Sequence, residues 1–151
     1  MSRIRIVVAD QAEAIFYDSA SLKSPPREVA RISDPAAHLH NRDFSSERPG
    51  RSYESVGGAR HAVGGENDPR QREAVSFARR IANTLDEALR HQDYEQLIVV
   101  AGPQFLGLLR EEFSKPTRAR VVYEVHKDLV HSPVEALCEH LPESELELKS
   151  A

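Results

Sequence analysis

The sequence predicts an α/β domain with a mixed five-stranded sheet, and three observations carry that reading. Three strand-like segments crowd the stretch up to Ser33, a polar stretch without periodicity follows, and from Asp68 onward helical patterns alternate with apolar runs. The 151 residues suffice for one domain. A chain of that size buries roughly two thirds of its unfolded surface.

The first strand is read from RIRIVVAD, where Arg3 and Arg5 alternate with Ile4, Ile6 and Val8 before Asp10. That period of two predicts one buried face. AEAIFYD, around Ala14 to Asp18, and REVARIS, from Arg27 to Ser33 behind Pro25 and Pro26, predict two more strands in an antiparallel meander. Asp68 before Pro69 reads as an N-cap ahead of a proline at the first helical position; Val75, Ala78, Ile81, Ala82, Leu85, Ala88 and Leu89 then recur at helical spacing to about His91. LIVVAG, from Leu97 to Gly102, is the continuous apolar run of a strand covered on both faces, and it predicts a central place in the sheet.

Pro103 opens a short helix through PQFLGLLREEF, and RARVVYEV predicts a strand from Arg118 to Val125. Ser132 and Pro133, with Glu135, start a last helix that ends near Leu141. Pro142 and the acidic residues after it predict a solvated or frayed tail over residues 142–151, beyond a single domain over residues 1–141. Three meander strands, a long loop, then helix, strand, helix, strand and helix is the element order of the ribonuclease-H-like architecture.

Between Asp34 and Asp68 the chain lacks both helical and strand periodicity. A connection of this length is exceptional in a compact domain, where about 4 to 6 residues are typical, so it reads as disordered or as functional. It explains a mean hydropathy of −0.51 in a chain whose apolar fraction, 40%, is ordinary. RPGRSYESVGGARHAVGG, Arg48 to Gly65, holds five of the seven glycines: Gly50, Gly57, Gly58, Gly64 and Gly65. The net charge of −4 argues against a polyanionic partner, but Arg42 to Arg80 carries eight arginines against six acids. Arginine is the side chain that grips phosphate with a planar fork.

Several classes of activity are disfavoured. Asp10 and Glu73 stand where a ribonuclease-H-like nuclease keeps its first two metal-binding carboxylates, yet the strand ending in VVAGPQF offers no acid between Val100 and Phe105. A cage of oxygen ligands is therefore incomplete. His126, Asp128 and His131 in HKDLVH, and His38 and His40 in HLH, are not spaced as helical ligand pairs, so no metal site and no cofactor are expected. VGGARHAVGG lacks the lysine and the preceding strand of a phosphate-binding loop, and no catalytic residue is assigned. Cys138, the single cysteine, reads as a buried structural thiol. With no apolar run of signal-peptide or membrane-span length, the expected place is the cytoplasm, with no membrane partner.

RPGRSYES, GGARHAV, FARRIANTL, LIVVAGPQFLGLLR and EVHKDLVH together resemble the bacterial host-attachment protein family, described as proteins required for attachment to host cells, over about Ile4 to Leu141. That family is similar in fold to the middle domain of archaeal and eukaryotic peptide-chain release factors and their ribosome-rescue relatives. The resemblance implies a loop before a long helix that enters an RNA cavity. Here Gly57-Gly58 is followed by Ala59 and Gly64-Gly65 by Glu66, so the glutamine of the release-factor loop is missing from both pairs.

The expected function is accordingly that of a non-catalytic RNA- or ribosome-associated module. Arg48, Arg51, Arg60, His61, Arg70 and Arg72 would contact phosphate, the five glycines would let the backbone approach, and Tyr53 would stack on a base. Two alternatives stay open: a protein partner in attachment or biofilm regulation, and an esterase acting on peptidyl-tRNA with Gln71 positioning water. The oligomeric state is left open.

Overall fold

The computed structural model describes residues 3–36 and 68–149. Among the described residues the five strands are β1 (Ile4–Ala9), β2 (Glu13–Ser19), β3 (Arg27–Ser33), β4 (Gln96–Ala101) and β5 (Val121–Val125). They form one mixed sheet in the order β3-β2-β1-β4-β5. The first three make the predicted antiparallel meander, with Ile4 opposite Ser19 and Glu13 opposite Ser33. β4 and β5 then add in parallel on the other side of β1, with Ile4 opposite Gln96 and Leu97 opposite Val121.

β1 therefore takes the centre, and β4 lies inside the sheet between β1 and β5. Leu97 to Ala101 are wholly buried, as a run without a polar residue requires. The alternation in RIRIVVAD misleads in one respect, since all six residues of β1 are buried. Arg5 is tolerated inside because both arms of its guanidinium meet Asp18 across the meander, at 2.5 and 3.1 Å. Its charge also lies over the Tyr94 ring at 5.6 Å.

The helices that pack on this sheet are α1 (Pro69–Arg90), α2 (Pro103–Glu112), α3 (Lys115–Arg120) and α4 (Val134–His140). Asp68 caps α1 as its sequence predicts, accepting from the Arg70 N–H at 2.9 Å. The stripe that α1 buries runs through Ala74, Phe77, Ala78, Ile81, Ala82, Leu85 and Ala88, so Phe77 joins the predicted set while Val75 and Leu89 are half-buried. This stripe and Phe105, Leu106 and Leu109 of α2 cover one face of the sheet around Val7, Phe16, Leu97 and Val99. The other face, with Ile6, Val8, Ile98 and Val122, packs under Leu129, Val130 and Leu137.

Three local readings need correction. Arg118 to Arg120 are helical, not the start of β5, because Ser114 caps α3 by accepting from the Thr117 N–H at 3.3 Å. Asp86 fastens that turn to α1 by accepting from the Ser114 and Thr117 hydroxyls, each at 2.6 Å. The last helix starts at Val134 with Pro133 as its cap, while the Ser132 N–H is used by Leu129 O at 3.1 Å. Cys138 is exposed. α4 has seven residues and buries one, Leu137, so the next position turns about 100° away from the sheet.

Over residues 142–149 the tail is exposed at Glu143, Glu145, Leu146 and Glu147 but is not frayed. A 3-10 turn over Glu145–Glu147, capped by Ser144, returns Leu148 to the second face. The Lys149 N–H then donates to Val122 O on β5 at 2.8 Å.

Candidate functional site

β1 and β4 are parallel neighbours whose onward connections diverge. From β1 the chain turns toward β2 on one side, and from β4 it passes through α2 and α3 toward β5 on the other. Such a switch point leaves a crevice beyond the carboxyl ends of the strands, the usual place for a ligand in open α/β sheets. A cleft of about 560 Å³ lies there, within the range of small-molecule sites.

Each wall has a local cause. Asp10 follows β1 and holds the β1–β2 turn, its Oδ1 accepting from the Ala12 and Glu13 N–H groups at 2.8 Å each. Its Oδ2 lies 3.9 Å from His131 Nε2. Gln71 comes from the first turn of α1, and Gln104 from the first turn of α2, whose cap is Gly102. Asp128 arrives from the segment after β5, and its Oδ1 accepts from the Val130 N–H at 3.4 Å. A Cβ placed on Gly102 would stand 3.9 Å from the Asp128 Cβ, which seats that aspartate beside the start of α2. Gln11 completes the polar rim, and Ala74, Phe105 and Leu108 form an apolar wall.

The residues predicted from sequence distribute unevenly around this place. Arg70 and Arg72 are exposed on the first turn of α1, on either side of Gln71 in the chain, and that turn carries no acid. Arg48, Arg51, Arg60, His61, Tyr53, Gly50, Gly57, Gly58, Gly64 and Gly65 lie outside the described residues, as do His38 and His40. Farther along α1 the arginines serve the fold. Arg79 forks onto Glu112 of α2 at 3.0 and 3.4 Å. Arg80 donates to Ser33 O at 3.2 Å and lies over the Phe77 ring at 5.3 Å.

The HKDLVH histidines part company, His126 standing 3.7 Å from Glu124 and His131 beside Asp10. Among the described residues no group of three histidine, cysteine or acidic side chains is arranged to hold a metal ion. Among them, too, no helix is long and apolar enough to cross a membrane.

The family described as "protein required for attachment to host cells" matches residues 5–141. The chain belongs to it. The host-attachment match spans every element from β1 to α4 and takes in Asp10, Gln71, Gln104 and Asp128. No curated protein matches the chain.

Spacing did not reveal the cleft as such. Asp10, Gln71 and Asp128 each draw notice in the sequence for another reason, while Gln11 and Gln104 carry no signal. Their convergence follows from the sheet order, which brings the ends of three strands and two helix starts together.

Proposed function

We propose that this host-attachment family protein is a non-catalytic RNA- or ribosome-associated module that works in the cytoplasm and is related in fold to the middle domain of release and rescue factors. The observation that carries the reading is the start of α1. Its first turn has no acid of its own, carries Arg70 and Arg72, and follows the glycine- and arginine-rich stretch from Arg48 to Gly65 after Glu66, Asn67 and the capping Asp68. The positive end of a 22-residue helix adds to those charges at the point where the stretch joins it. The meander followed by two parallel strands, in the order β3-β2-β1-β4-β5, supports the ribonuclease-H-like relationship.

The test is co-sedimentation of the protein with ribosomes from growing and starved cells, at low and high salt. The expected result is binding whose logarithm falls with the logarithm of salt, with a slope of about −0.7 for each phosphate contact on single-stranded RNA. Arg48→Ala with Arg51→Ala and Arg60→Ala, or Arg70→Ala with Arg72→Ala, should weaken it and flatten the slope. Protein that stays unbound in every gradient, or that recovers a protein partner and no RNA, would overturn this reading in favour of a protein-interaction role in attachment.

One observation favours a second reading, hydrolysis of a peptidyl-tRNA ester: Gln71 opens onto the cleft that Asp10 and Asp128 also line. A positioned amide and a carboxylate base are the parts needed to orient and activate water. Peptide release from programmed ribosomes, lost in Gln71→Ala, would establish it. Absence of release from the unaltered protein would remove it.

A further inference from the structure

We infer that the cleft between β1 and β4 binds a small uncharged ligand carrying a vicinal diol on a ring, the chemistry shared by a ribonucleoside and a free sugar. The charge on its walls weighs against the commonest alternative, an anion. Asp10 and Asp128 line it, and among the described residues no lysine, arginine or histidine does. A phosphate or carboxylate placed inside would meet two like charges with no side-chain cation in the lining to offset them, and the starts of α1 and α2 supply only partial positive charge.

The carboxylates define what is missing. Asp10 uses Oδ1 on two backbone N–H groups, and Asp128 uses Oδ1 on one. At 3.9 Å, His131 is too far from Asp10 Oδ2 for a hydrogen bond. Oxygens that only accept need a ligand that donates, and adjacent hydroxyls supply two such donors at one spacing.

The amides decide between a diol and an amine, since either would satisfy the aspartates. Gln11, Gln71 and Gln104 each offer an N–H₂ as well as an oxygen. An ammonium has no acceptor and would leave those N–H groups without a partner, whereas a hydroxyl both gives and receives. The apolar wall of Ala74, Phe105 and Leu108 then takes the C–H or aromatic face of a ring. Carboxylates and amides on one side and an apolar wall on the other match a ring that is polar along its edge and apolar across its face.

The experiment follows backbone amide chemical shifts of the full chain by NMR during titration with adenosine, ribose, 2′,3′-dideoxyadenosine and spermidine. Shifts at Gln71, Gly102 and Gln104 are expected with a diol. Adenosine active and ribose silent would identify a ribonucleoside; an active ribose would identify a free sugar ring. Loss of the diol in dideoxyadenosine should weaken binding about tenfold or more, as expected for lost hydrogen bonds to charged acceptors.

Asp128→Asn should lower the affinity of whichever diol binds by a similar factor, while the retained oxygen can still accept from Val130 and keep the fold. Asp10→Asn gives an independent second variant, because an asparagine oxygen can hold the same turn. Dideoxyadenosine binding as tightly as adenosine, spermidine binding more tightly than either diol, or no shift at these residues at millimolar ligand would each overturn the proposal. Such a failure is distinct from failure of the ribosome reading, which sedimentation measures through the arginines.

Discussion

The two faces of the sheet solve the same problem with different means. One is covered by α1, a single helix of 22 residues whose stripe from Ala74 to Ala88 runs across β1, β2 and β4, with α2 beside it. The other is covered by pieces: Leu129 and Val130 in a connection, Leu137 on a seven-residue helix, and Leu148 returning from the 3-10 turn. Helix formation is cooperative, so a long amphipathic helix carries its own signal and much of its own order. Short cover pieces depend on the sheet they bury. The helical face should therefore govern global stability, and the pieced face should open locally.

The largest expected effect breaks the helical face. Phe77 is fully buried and stacks on Phe105 with ring centroids 6.3 Å apart. Phe77→Ala should cost about 3–5 kcal/mol in urea unfolding, the usual range for emptying an aromatic site. A loss below about 1 kcal/mol would mean that α1 does not dominate. Leu137→Ala, the matching cut on the other face, should cost about 2 kcal/mol, the low end for a leucine, because a short helix can settle into the space. Hydrogen exchange should sharpen the contrast: the Lys149 amide bonded to Val122 should lose protection in Leu137→Ala while α1 amides keep theirs.

This difference also explains what could be read in advance. α1 was legible because its pattern repeats for six turns and its cap is local, Asp68 before Pro69. α3 was not: KPTRAR is six residues long, and RARVV alternates like a strand. Its cap, Ser114 ahead of Pro116, is local, but what fastens the turn in place is Asp86, 28 residues before Ser114, a partner no window can see. Arg5 looked solvent-facing because its partners, Asp18 and Tyr94, are supplied by the fold. The exposure of Cys138 turns on where a seven-residue helix rests, and apolar neighbours in sequence do not decide that. The cleft was illegible for the same reason, since strand order and not spacing gathers its residues.

The Asp86 fastening gives the next effect in size, on the helical side. Thr117 is wholly buried, and its hydroxyl and that of Ser114 both end on one carboxylate oxygen. Asp86→Ala should cost about 1–2 kcal/mol by leaving buried donors unsatisfied. Asp86→Asn, which can still accept, should recover part of that loss. Equal losses in the two variants would show that the hydroxyls find other partners and that α3 is held by packing alone.

The smallest effect lies where the two layers meet. Glu124 on β5 accepts both arms of Arg110 from α2, at 2.6 and 3.1 Å. The hydrogen bond from Arg110 holds its carboxyl below the ordinary carboxylate range, burial opposes that shift, and Arg110, Lys149 and His126 add favourable charge. A carboxyl lowered on folding contributes stability that is full above its unfolded value and is lost as pH falls through the folded one. The contribution should therefore disappear on acidification below the ordinary carboxylate range. Arg110→Gln should flatten that decline and change neutral stability by only a fraction of a kcal/mol, because the arginine is half exposed and screened by water. Denaturation midpoints against pH decide it. A decline as steep in Arg110→Gln as in the parent would take the acid sensitivity away from the strap from α2 and place it in other carboxylates, such as Glu28 held by Arg31 at the sheet edge.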